Sequence, residues 1–174
     1  MGKIAGAFIF PHPPIMVEEV GKSESQKVSK SINSALEASG RIACAEPDTI
    51  VIITPHGTLL RDAMTISSDK RLEGNLARFG AAGVKLSFDN DLELVDKIME
   101  QADKKGTYCI PMHEDVKKTY GIGAGLDHGA VVPLYFVNKK YKGFKLVHIT
   151  YSLLPRDWHY KLGVAIRDAA TELD

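Results

Sequence analysis

Residues 48–54, Asp-Thr-Ile-Val-Ile-Ile-Thr, set four branched apolar side chains in a row between polar ends. A short run that is apolar at consecutive positions predicts a strand covered on both faces, the habit of parallel sheets. Residues 4–10 are nearly as apolar and predict a second strand of the same kind. Between the two, Val28, Ile32, Ala35, Leu36 and Ile42 recur at the spacing of a helix with one buried stripe. Ser23 and Gln26 have the form of a capping box at its start, and Pro47 ends it. Strand, helix and strand in this order predict a βαβ unit with a right-handed crossover.

Further along, residues 63–67 and 84–88 read as short strands on either side of a polar, glycine-containing connection. Asn90 and Asp91 cap a second helix with apolar positions Leu92, Val95, Ile98, Met99 and Ala102, closed by Lys104, Lys105 and Gly106 where a helix C-terminus favours cations and glycine. Residues 107–110 and 144–151 predict two more strands. Trp158, Leu162, Ala165, Ile166 and Ala169 form the stripe of a last helix. The expected architecture is α/β: a central, mostly parallel or mixed sheet with helices on both faces, in a single domain over residues 1–174. No strand follows the last helix, and Glu172 and Asp174 stand at the pole that prefers cations. The expectation is therefore that residues 1–174 form part of a larger fold.

Composition narrows the partners. With 22 acidic against 22 basic residues, and 25% of positions charged, the chain has no net field to recruit nucleic acid or anionic lipid. No apolar run approaches the roughly 18 residues of a membrane span, and the first residues lack the pattern of a secretory signal. A cytoplasmic protein is expected, with small molecules or other proteins as partners. Cys44 and Cys109 share no motif and read as reduced, buried small apolar residues.

Candidate chemistry centres on histidine. His12 follows the first expected strand in Phe-Pro-His-Pro-Pro, and His56 follows the second in Thr-Pro-His-Gly. Parallel strands would deliver both imidazoles to one rim of the sheet, where open α/β folds place their ligands. Proline before each histidine fixes φ and limits the ring's excursions, which suits a metal ligand. A third segment, Gly121 through Phe136, contains Leu126-Asp127-His128-Gly129 and then Pro133. Pro133 argues against a central strand and favours a loop that delivers His128 to the entrance of a short helix. Asp127 either fixes a histidine tautomer or faces water. The glycines resemble a dinucleotide-binding loop, but no strand precedes them and Leu126 stands where the last glycine belongs. His113 and His159 read as surface residues, and His148 as a satisfied histidine of the core or sheet edge.

The ordered set Pro-His-Pro-Pro at 11–14, Thr-Pro-His-Gly at 54–57 and Leu-Asp-His-Gly-Ala-Val-Val-Pro-Leu-Tyr-Phe at 126–136 resembles the class III extradiol ring-cleavage dioxygenases. That is the family of LigB-type catalytic subunits, and the likeness is to its branch associated with radical-SAM and Memo-like proteins. The resemblance implies a non-haem Fe(II) site with His12 and His56 as ligands, Zn(II) being the alternative ion, and His128 as the catalytic group over the substrate. It implies a small aromatic diol and O2 as co-substrates, with a homo-oligomer or a second subunit as the further partner. Family members run roughly half as long again. The glutamate ligand and a Ser-His segment have no counterpart here, so residues 1–174 are expected to be the N-terminal two thirds of the fold. Two further readings arise from that gap: an inert, Memo-like metal-binding or interaction module, and a zinc-dependent hydrolase.

Overall fold

The computed structural model describes residues 2–119, 121–122 and 125–173. Strand β1 (Thr49–Thr54) pairs in parallel with β6 (Lys145–Thr150), β6 pairs antiparallel with β2 (Met64–Ser67), and β2 pairs in parallel with β5 (Cys109–Met112). The result is a mixed four-stranded sheet in the order β1-β6-β2-β5. A two-stranded antiparallel sheet, β3 (Arg71–Leu76) with β4 (Ala81–Asp89), stands beside it.

Helices cover both faces of the larger sheet, as the sequence predicts. On one side lie α2 (Ser29–Ala45) and α5 (His128–Asn138), whose apolar residues join Leu146 of β6 and the inner positions of β3 and β4 in one core. On the other side lie α3 (Leu92–Lys104) and α6 (Arg156–Glu172), packed on Met64, Ile66, Val147 and Ile149. Along β6, Leu146 therefore faces one core while Val147 and Ile149 face the other, the two-residue alternation of a strand. That alternation also turns His148 toward the α5 side. The remaining short helices are α1 (Glu18–Gly21) and α4 (Glu114–Thr119).

Two expectations need correction. Residues 4–10 form no strand, so the βαβ unit is absent: Ile9 is 100% exposed, Ile4 51% and Phe8 41%. An apolar run records a tendency to be covered, but a strand also needs a ladder partner for its backbone groups. The sheet ends at β1, whose outer edge has no strand partner among the described residues. The capping box at Ser23 also fails to open the helix. Residues Lys22–Val28 wind as a 3-10 helix, Ser25 Oγ donates to the carbonyl of Lys22, and α2 begins only at Ser29. By contrast, Asp91 caps α3 as expected, its side chain accepting from the Leu94 N–H at 3.3 Å. No described helix is long and apolar enough to cross a membrane.

Candidate metal centre

Three separate segments bring imidazoles to the rim where β1 ends. His12 is held by the turn on its C-terminal side rather than by a strand before it. Pro13 leads into a 3-10 turn, Pro14–Met16, closed by the Met16 N–H on the Pro13 carbonyl and the Val17 N–H on the Pro14 carbonyl, each at 3.0 Å. Met16 and Val17 are 2% and 0% exposed, so the stiff segment is anchored in the core one turn from His12. His56 lies two residues beyond Thr54, the last residue of β1. His128 is the first residue of α5, with Asp127 as its N-cap.

The three rings converge. His12 Nε2 and His56 Nε2 are 3.0 Å apart. His56 and His128 stack with ring centroids 4.2 Å apart and planes inclined by 22°, and His12 lies 5.9 Å from His128 by centroid. One nitrogen from each residue lies within 4.8 Å of those from the others. Two metal–nitrogen bonds of about 2.0–2.1 Å, at tetrahedral to octahedral angles, place their nitrogens roughly 2.9–3.4 Å apart. The His12–His56 pair fits a shared divalent ion on that measure, and the donor set of neutral imidazoles suits iron or zinc. Among the described residues no carboxylate joins the cluster. Phe79, from the turn between β3 and β4, meets the His128 ring edge-on at 5.2 Å and forms a wall.

Glycines let the backbone come this close. A methyl group on Gly57 would sit 2.1 Å from Thr150 Oγ1, and one on Gly129 would sit 2.7 Å from Asp127 Oδ1 and 3.3 Å from the His56 ring. Both positions need a side chain that ends at hydrogen.

Asp127 does not face water, and its carboxylate is turned to partners other than the His128 ring. Its Oδ1 accepts from the Gly129 N–H at 2.7 Å, and its Oδ2 accepts from Thr54 Oγ1 at 2.6 Å and from His148 Nε2 at 3.1 Å. Burial opposes its ionisation, but the hydrogen bonds from His148 and Thr54, the charge of His148 and the Gly129 N–H outweigh that and lower its pKa to about 2. His128 is held toward its neutral form: burial, then the neighbouring His56 and His12, lower its pKa, with Asp127 opposing.

The other candidates scatter. His113 is a surface residue 3.7 Å from the Asp69 carboxylate. His159 is half-buried and not wholly in solvent: Nε2 accepts from the Ser152 N–H at 3.2 Å and Nδ1 faces the Pro155 carbonyl at 3.2 Å, so it braces the entry to α6. Cys44 and Cys109 are free; Cys44 is exposed at the end of α2, not buried as its apolar character suggests, while burial pushes the Cys109 thiol up to about 12, leaving it protonated and inert. Thr54, Ser67, Phe79 and the link from His148 to Asp127 are the site's unanticipated parts. Only His148 carried a signal, as a titratable residue between Val147 and Ile149.

An α/β fold that gathers three imidazoles at one sheet rim defines a protein with a candidate mononuclear metal centre. The chain belongs to the LigB family: residues 6–174 match the catalytic LigB subunit of aromatic ring-opening dioxygenase. It is also 37% identical over 169 residues to Protein CA_C1420 of Clostridium acetobutylicum, a match that covers 97% of this chain and 36% of that protein. The chain thus spans about a third of the length of this curated relative.

Proposed function

We propose that the histidine cluster belongs to an extradiol-type dioxygenase centre that opens the ring of a catechol-like diol with O2. The observation that carries this reading is the 3.0 Å approach of His12 Nε2 to His56 Nε2, within a chain of the LigB family. Under this reading His12 and His56 are ligands to Fe(II), with Zn(II) as the competing ion. The ion would supply open positions at which diol and O2 meet. His128, stacked on His56, would accept a phenolic proton from the diol and later return one during ring opening. Phe79 gives the aromatic ring of a substrate an apolar edge to lie against. No carboxylate joins the cluster among the described residues, so the one that completes such a face would come from elsewhere in the protein or from a second subunit.

A second reading takes the lack of a carboxylate among the described residues at face value, as an inert metal-binding or interaction module. Oxygen uptake separates the two. After anaerobic loading with Fe(II), the protein together with whatever polypeptide naturally accompanies it is expected to consume O2 with at least one member of a catechol panel, and to yield the yellow ring-opened product. Metal bound without O2 consumption across the panel would favour the inert module. Ester cleavage abolished by a chelator, with no O2 uptake, would indicate a zinc hydrolase instead.

A further inference from the structure

His148 is 2% exposed, and both ring nitrogens are engaged. Nδ1 lies 3.0 Å from Ser67 Oγ, and Nε2 lies 3.1 Å from Asp127 Oδ2. Asp127 is an ionised carboxylate and can only accept, so Nε2 carries the hydrogen and donates it. The Thr54 hydroxyl donates to the same Oδ2. Ser67, His148, Asp127 and Thr54 therefore form one buried polar chain running from β2 through β6 to the start of α5 and the end of β1. Two members of that chain touch the site. His56 follows Thr54 by two residues, and His128 is bonded directly to Asp127 in sequence.

We propose that His148 is a positioning residue for the candidate metal centre: by donating to Asp127 it fixes how the His56 and His128 rings stack. Asp127 rivets α5 to β1 only while its carboxylate is held in one rotamer. Gly129 and Thr54 grip it from two sides, and the Nε2–H of His148 supplies the third bond, anchored in turn by Ser67. Filling a core calls for apolar residues; a buried imidazole–carboxylate pair stabilises little over an apolar replacement, so its contribution is to geometry. The functional consequence rests on His56 being a ligand, but the geometric claim stands without metal.

Three variants test it, read first in metal-free protein by the NMR cross-peak between His56 and His128 ring protons. The cross-peak is expected in the wild-type chain and in His148→Gln, whose side-chain amide still donates to Asp127. It is expected to vanish in His148→Leu. Zinc titration should follow the same order, with affinity about tenfold weaker or more in His148→Leu and close to wild type in His148→Gln. An intact cross-peak in His148→Leu, or equal loss in both variants, overturns the proposal. Should His148→Leu fail to fold, Ser67→Ala keeps the ring and removes only its Nδ1 partner; a weakened cross-peak there supports the role and an unchanged one overturns it. A wild-type chain that binds no zinc, with cross-peaks that follow the expected order, upholds the positioning role and removes the metal-centre reading alone.

Discussion

Asp127→Ala is expected to lower the unfolding midpoint by about 10 °C. The substitution strands three donors at once, the Gly129 N–H, the Thr54 hydroxyl and His148 Nε2–H, in a place where water has little access. Removing one partner of a buried charged network costs on the order of 3 kcal/mol, and each kcal/mol shifts the midpoint of a chain this size by roughly 2–4 °C. The pH dependence has a definite sign. The carboxyl's pKa falls from 3.8 to about 2 on folding, so the unfolded chain binds the proton more readily. The stability this provides, about 2 kcal/mol, is fully present above pH ~4 and is lost as the pH falls through about 2. Thermal unfolding of wild type and Asp127→Asn between pH 2 and 7 checks it: the wild type should lose stability on the acid limb more steeply than the variant. Parallel curves would show that Asp127 is not the ionised partner described.

His56→Ala is expected to have the opposite profile, a large loss of metal affinity with stability almost unchanged. The ring is exposed and makes no hydrogen bond into the core, so its removal should alter folding by no more than about 0.5 kcal/mol. One of the two proposed imidazole ligands is lost, however, and Zn(II) or Fe(II) binding should weaken by about 100-fold or more, equivalent to roughly 3 kcal/mol. His113→Ala is the control, since that side chain lies on the surface beside Asp69. Isothermal titration of the three proteins reads the difference, and equal affinity in all of them would remove His56 from the site.

The fold was legible wherever an element's own residues carry its periodicity. The β1 run, the α3 stripe with its Asp91 cap, and the α6 stripe all appear where their patterns place them. Strand β3 is harder to see: it buries Leu72, Gly74 and Leu76 and exposes Arg71, Glu73 and Asn75, a true alternation in which one inward position is a glycine with no side chain. Residues 4–10 mislead for the converse reason, being apolar without a strand to pair with. His12 consequently reaches the site by a different route from the expected one, through the Pro13–Pro14 turn and its buried anchors, Met16 and Val17. His56 and His128 are legible because each lies at a feature that sequence does reveal, a strand end and the entrance of a helix. The polar chain beneath them is not, because the strand pattern of β6 tells which face His148 occupies but not that Asp127 and Ser67 meet it there.

The central claim is that the imidazoles of residues 12 and 56 share one cation. Anomalous diffraction at the zinc edge from crystals soaked in Zn(II) measures it directly. One peak is expected within about 2.1 Å of Nε2 of both histidines. A peak bound to only one of them, or none at this rim while zinc occupies another site, would contradict it.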